Sequence, residues 1–223
     1  MTKPLILGYS PWGNGNSIFP FDAVFDYGQD VLKKGFDNID ALVLWGGTDI
    51  HPSYYKEKHH QFNQAPPFPS DRDRFEWKAM VYCKLHNIPI IGVCRGAQFL
   101  CAFAGGSLIQ HVDGHNNGNH KMVTKDGESM YTTSAHHQML YPYEVNHELL
   151  AWSQTKLASR YENGDGANTS AMFTQREPEC VYFPEIRGLG IQGHPEWMNK
   201  DSRMVQWFNE LIIEKLFNEV TSD

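Results

Sequence analysis

The stretch Ile88 to Gln98, Ile-Pro-Ile-Ile-Gly-Val-Cys-Arg-Gly-Ala-Gln, runs straight into the apolar segment Phe99 to Ala104, and it constrains this chain more than any other. A β-branched apolar run closed by Gly92 predicts a buried strand, and the Gly-, Ala- and Leu-containing segment behind it predicts a helix. Cys94 then stands at a strand-to-helix turn. So sharp an elbow needs small neighbours, which Gly92, Gly96 and Ala97 supply. Unpaired N–H groups and the dipole at a helix N-terminus also favour a thiolate there. A lone cysteine is more often a buried structural residue, so the rest of the chain has to decide.

With 223 residues the chain suits one domain, 1–223, large enough to bury a core without staples, and no linker or repeat divides it. The net charge of -7 and the lack of a Lys/Arg cluster speak against nucleic acid or an anionic membrane as partner. Cys83, Cys94, Cys101 and Cys180 are too few and too irregularly spaced for a disulfide framework. A reducing, cytoplasmic setting fits. No stretch approaches membrane-spanning length, and Met1 to Ser10 lacks a signal architecture.

Pro4 to Tyr9 predicts a first buried strand and Ser10 to Asn16 a loop. Val24, Tyr27 and Val31 lie at helical spacing between Phe19 and Phe36, with Gly35 as a stop. Ala41 to Trp45 predicts a second strand, which runs into Gly46-Gly47, glycines able to expose backbone N–H groups to a ligand. His51 to Pro69 is a long polar loop in which adjacent His59 and His60 are expected to be solvated. From Ser70 a helix is expected, with Phe75, Ala79, Tyr82 and Leu85 as its apolar stripe. Strand, helix, strand, helix argues a parallel α/β sheet, and such sheets bind ligands at the carboxyl ends of their strands. Gly46-Gly47 and Cys94 both fall at such ends.

Further on, Ser107 to Val112, Leu149 to Trp152, Cys180 to Phe183 and Gly188 to Gln192 read as strands, with Tyr161 to Ser170 as a loop. His111, His115 and His120 invite a metal reading, but Gly114, Asn116, Asn117 and Gly118 forbid a helical His-x-x-x-His, so no metal and no cofactor are expected. After Gly193-His194-Pro195-Glu196, Asp201 or Ser202 caps a last helix whose buried stripe is Met204, Phe208, Leu211 and Ile212.

A cysteine nucleophile needs a base for its proton and a third group to hold that base, and Cys94, His194 and Glu196 make a complete set. The backbone N–H of Arg95 and one from Gly46-Gly47 are placed to bind the oxyanion that attack on a carbonyl creates. Hydrolysis of an amide-type bond through a thioester is the implied reaction.

Gly-Val-Cys-Arg-Gly-Ala-Gln, with Gly-Ile-Gln-Gly-His-Pro-Glu about a hundred residues later, resembles the class I glutamine amidotransferase superfamily. Trp45 to Tyr55, Arg72-Asp73 with Glu76, Arg95, Gly105-Gly106-Ser-Leu-Ile-Gln and Ser134-Ala-His-His-Gln resemble its gamma-glutamyl-GABA hydrolase branch, among gamma-glutamyl hydrolase-like peptidases. The resemblance covers about Asp40 to Trp197. It implies a flavodoxin-like three-layer α/β/α sandwich with a mostly parallel central sheet and a cysteine nucleophile elbow, and a Cys94, His194, Glu196 triad. It further implies that Gln98, Ser134, His136, His137 and Gln138 help hold the α-amino and α-carboxylate groups of a small-molecule gamma-glutamyl substrate. Gly193 stands where the family usually has tryptophan, which is expected to open space beside the base. The segment before Ala41 is shorter than usual, which implies a trimmed helix or strand.

Three functions compete. The first is a free-standing gamma-glutamyl amide hydrolase. The second is a glutaminase subunit that passes ammonia to a synthetase partner; Arg95, where ammonia-transferring members often have tyrosine, tilts against it. The third is a catalytically silent binding protein on the same fold, which the intact triad argues against. A homodimer is compatible with any of the three.

Overall fold

The structure, a computed structural model, describes residues 4–10, 18–33, 35–116, 118–164 and 175–218. Of the expected loops Ser10 to Asn16 and Tyr161 to Ser170, residues 11–16 and 165–170 lie outside the described residues, while Tyr161–Glu162 is a short strand and not loop. The chain runs β1 (Leu5–Tyr9), β2 (Val24–Tyr27), β3 (Ala41–Leu44), α1 (Asp71–Leu85), β4 (Ile90–Val93), α2 (Arg95–Phe103), β5 (Ser107–Ile109), β6 (His111–Val112), β7 (Gly118–Thr124) and β8 (Ser129–Ser134). It continues through β9 (Met139–Tyr141), β10 (Glu148–Ser153), β11 (Tyr161–Glu162), β12 (Pro178–Phe183), β13 (Gly188–Ile191) and α3 (Arg203–Ile212).

Nine strands form one sheet in the order β2-β1-β3-β4-β13-β12-β10-β7-β8. From β2 to β13 every pairing is parallel, and from β13 onward the sheet continues antiparallel. The parallel half is apolar on both faces because both are covered. Leu42, Leu44 and Ile90 pack with Ala79 and Met80 of α1 and with Phe99 and Leu100 of α2. Val43, Ile91 and Val93 point the other way, under Met204, Phe208, Leu211 and Ile212 of α3. The alternation along β3 and β4 therefore builds the three α/β/α layers. Among the described residues, no helix is long and apolar enough to cross a membrane.

Ser70 caps α1: its hydroxyl accepts from the Asp73 N–H while the Asp73 carboxylate accepts from the Ser70 N–H, a reciprocal capping box. Ser202 caps α3.

Four expectations are corrected. Val24 to Tyr27 is a strand, paired in parallel with β1, and only Gln29–Lys33 turns helically, as a short 3₁₀ segment. The buried face of α1 is Asp73, Glu76, Ala79, Met80 and Cys83, while Leu85 is 78% exposed, because two carboxylates on this helix are buried against arginine. Ser107 to Val112 splits into β5 and β6, which pair in separate two-stranded ladders with β9 and β11. His60 is buried, with its Nε2 3.4 Å from a Glu162 carboxylate oxygen, so only His59 of that pair is solvated.

Candidate active site

Three adjacent parallel strands, β3, β4 and β13, deliver Gly46, Cys94 and His194 just beyond their carboxyl ends. Cys94 has φ 52° and ψ -110°, a left-handed conformation that a side-chain-bearing residue holds only when its surroundings enforce it. Here they do. Its N–H donates to the Ile191 carbonyl and its carbonyl accepts from Gln98 N–H. The elbow is so tight that a Cβ on Gly96 would lie 2.0 Å from the Leu44 carbonyl oxygen, and one on Gly92 2.6 Å from the backbone of Gly96.

His194 reaches the thiol, and Glu196 reaches His194, through a turn begun by Pro195, whose fixed φ suits the first helical position. The turn brings Glu196 Oε1 2.8 Å from His194 Nδ1, so Nδ1–H donates to the carboxylate and Nε2 is left for sulfur. A Cβ added to Gly46 would sit 2.9 Å from His194 Cε1 and 3.6 Å from Cys94 Cβ, so the glycine lets strand, thiol and imidazole converge. Burial alone would lower the His194 ring. The hydrogen bonds and charges of Cys94 and Glu196 outweigh it and push the ring up to about 9. By contrast, burial pushes the thiols of Cys83 and Cys101 up to about 12 and raises Cys180 as well. Those three are inert core residues.

Arg95 follows the nucleophile, and its N–H is one of the helix-start donors without an intrahelical acceptor. Its side chain is buried and ion-paired with Asp73 and Glu76 of α1. Glu76 also holds Arg72, whose guanidinium donates to the carbonyls of Trp45 (2.7 Å) and Gly46 (2.9 Å). That fixes the plane of the peptide joining Gly46 to Gly47 and turns the Gly47 N–H away from Arg72. One carboxylate thus ties both expected oxyanion donors to the same helix.

Gln98 and the Ser134 to Gln138 segment also meet. The Gln98 amide donates to the Gln138 carbonyl (3.0 Å), and the Gln138 amide to the Gln110 carbonyl (3.3 Å). The Ser134 hydroxyl donates to the His115 carbonyl, and His136 Nδ1 to the Gln138 carbonyl at 2.8 Å. His137 Nε2 lies 3.1 Å from an Asp49 carboxylate oxygen. Of these five, His137 alone is not fully buried. Side chains expected to face substrate are thus engaged in fixing the Ser134 to Gln138 segment against its neighbours.

Two neighbours of the imidazole carry no motif. The Thr133 hydroxyl accepts from the His194 N–H (2.7 Å) and donates to its carbonyl (3.0 Å), and Trp197 stacks flat on the ring. The same strand corrects the expectation for Gly193. A Cβ there would lie 2.2 Å from Thr132 Oγ1 and 2.7 Å from the Thr133 carbonyl oxygen, so β8 fills the space that glycine was expected to open.

The fold and the convergence of cysteine, histidine and glutamate at its strand ends describe a protein of the glutamine-amidotransferase kind. The Peptidase C26 family profile matches residues 19–196, and the chain belongs to that family. Over 82 residues it is 44% identical to a glutamine amidotransferase-like protein of Lactococcus lactis subsp. cremoris, a match covering 36% of this chain and 42% of that protein. Protein NtpR of Enterococcus hirae is 26% identical over 225 residues, 93% of this chain and 89% of its own. The crystal structure of a glutamine amidotransferase from Thermotoga maritima superposes with a TM-score of 0.59 at 13% identity, covering 96% of this chain and 86% of that one, which shows the shared fold. The chain spans between 29% and 42% of the length of several curated relatives it matches.

Proposed function

We propose that this protein hydrolyses gamma-glutamyl amides, using Cys94 as nucleophile, His194 as base and then acid, and Glu196 to hold the imidazole. The observation that carries this reading is the hydrogen-bonded set at the ends of β4 and β13, with His194 pushed up to about 9 beside Cys94 and Glu196. The thiolate attacks the δ-carbonyl carbon, and the N–H groups of Arg95 and of Gly46 or Gly47 receive the developing oxyanion; each such donor is worth about 10²- to 10³-fold in rate. The imidazolium gives its proton to the departing amine, leaving a glutamyl thioester on Cys94. Water then enters, loses a proton to His194 and opens the thioester to glutamate. The single unit 1–223 acts without cofactor, and Gln98 with Ser134 to Gln138 shapes the glutamyl pocket.

A second reading, a glutaminase that serves a synthetase, is favoured by a relative named glutamine amidotransferase-like and a fold neighbour named a glutamine amidotransferase. Against it, Arg95 is locked into a buried ion pair with α1 where ammonia-transferring members often carry tyrosine. The test is glutamate release from glutamine and from a panel of gamma-glutamyl amines, with Cys94→Ala alongside. Cys94-dependent turnover of the panel supports the hydrolase; turnover of glutamine only with a synthetase present supports the second reading. No Cys94-dependent release from any compound overturns both and leaves a binding protein.

A further inference from the structure

Beside the catalytic strands, residues from separate elements gather in the interior. His115 comes from the turn between β6 and β7, His136 from just beyond β8, and Glu179 from β12. All three are buried, at 0%, 3% and 0% exposure. One ligand-type atom from each lies within 4.8 Å of the others. His115 Nδ1, His136 Nε2 and Glu179 Oε2 are also buried atoms without a hydrogen-bond partner among the described residues. Three orphaned polar atoms in one place are uncommon in a folded interior.

The partners of the remaining atoms say what kind of group these three suit. His115 Nε2 lies 3.1 Å from a Glu177 carboxylate oxygen and Nδ1 3.6 Å from Glu179 Oε1; with the single ring proton on Nε2, Nδ1 carries a lone pair. His136 Nδ1 donates to the Gln138 carbonyl at 2.8 Å, so its Nε2 is likewise a lone pair. Glu179 Oε1 accepts from His120 Nε2 at 2.7 Å, leaving Oε2 buried without a partner among the described residues. In that tautomer two lone pairs and a carboxylate lie within 4.8 Å of one another, and they repel unless a cation, a metal ion or a further proton, lies among them. Each donor is moreover oriented by a second group, as the residues behind a metal ligand are.

We propose that His115 Nδ1, His136 Nε2 and Glu179 Oε2 bind a divalent transition metal of the zinc type. Two imidazoles and one carboxylate suit that class, with a fourth position left for water. Tetrahedral bonds of about 2.0–2.2 Å set the ligand atoms about 3.4 Å apart, so donors that now lie within 4.8 Å of one another close in on loading by as much as about 1.4 Å. The site lies outside the local histidine spacing in the sequence, because its second and third members, His136 and Glu179, come from just beyond β8 and from β12. Its structural effect is to fasten the Ser134 to Gln138 segment to the central sheet.

The test uses untagged protein stripped with a chelator and titrated with Zn²⁺ or Co²⁺ alone, with metal content measured after desalting. One equivalent per chain is expected, with a Co²⁺ spectrum of low coordination number and a raised Tm on loading. Glu177→Gln should weaken binding by about 10- to 100-fold, and His136→Ala or Glu179→Gln by more, while His59→Ala on the exposed loop leaves it unchanged. X-ray absorption of the Zn²⁺-loaded wild type, which needs no variant to fold, should show nitrogen and oxygen ligands only. Absence of stoichiometric binding overturns the proposal and leaves a proton as the cation of the cluster. Binding that survives in folded His136→Ala and Glu179→Gln, or sulfur in the metal's shell, overturns it too.

Discussion

The indole of Trp197 lies 3.6 Å, centroid to centroid, from the imidazole of His194, and the two rings are 4° from parallel. Trp197 is 62% exposed, so little of its surface contributes to the core, yet it covers one face of the proposed base. Trp197→Ala is expected to change stability by no more than about 0.5 kcal/mol, as for a surface residue away from the core. It should nevertheless lower kcat with little change in KM, because the ring loses its stop against rotation. Trp197→Phe should restore most of the rate. Steady-state kinetics beside chemical denaturation check this, and a variant that loses stability but not kcat contradicts it.

Glu76 holds two arginines, and both are tied to the proposed oxyanion site. Glu76→Gln leaves the buried Arg95 with one carboxylate, Asp73, and removes the only charge that Arg72 pairs with on α1. Breaking a buried pair of this kind costs about 3–5 kcal/mol. Urea unfolding should show that loss. The surviving folded fraction should turn over more slowly, since the carbonyls of Trp45 and Gly46 lose a firmly placed donor.

His194 is charged in the folded chain up to about pH 9, against 6.5 for the free ring. Because the folded value is the higher one, the stabilisation from its pairing is complete below pH 6.5 and is lost as pH rises through about 9. The kcat/KM profile should fall on the alkaline side with an apparent pKa of about 9, as His194 loses its proton. Glu196→Gln removes one of the two partners that raise the ring, and the limb should move toward neutral pH. A limb that stays in place in Glu196→Gln contradicts the assignment of Glu196.

The parallel half of the fold was legible because its strands are covered on both faces: Ala41 to Leu44, Ile90 to Val93 and Gly188 to Ile191 read as short unbroken apolar runs. The small residues at 92, 96 and 97 announced the elbow for a steric reason that the structure repeats atom by atom. Hydrophobic periodicity failed where burial is not apolar. On α1 the inward face carries Asp73 and Glu76, whose burial depends on Arg95 some twenty residues later, so the stripe through Phe75 and Leu85 was misplaced. In Val24 to Tyr27 a four-residue segment is too short to separate a period of 2 from one of 3.6. Thr133 and Trp197 were invisible for another reason: one meets the His194 backbone with its hydroxyl from a strand 61 residues away in sequence, the other through a turn that only the fold closes.

The most direct measurement is acid quenching of the wild-type chain during its first turnover of a chromogenic gamma-glutamyl anilide, followed by peptide mass spectrometry. The expected result is a glutamyl group on the Cys94 peptide and a release of aniline that falls at least about 10³-fold in Cys94→Ala. Release that persists in Cys94→Ala, or a glutamyl group carried by any other residue, would contradict a Cys94 thioester.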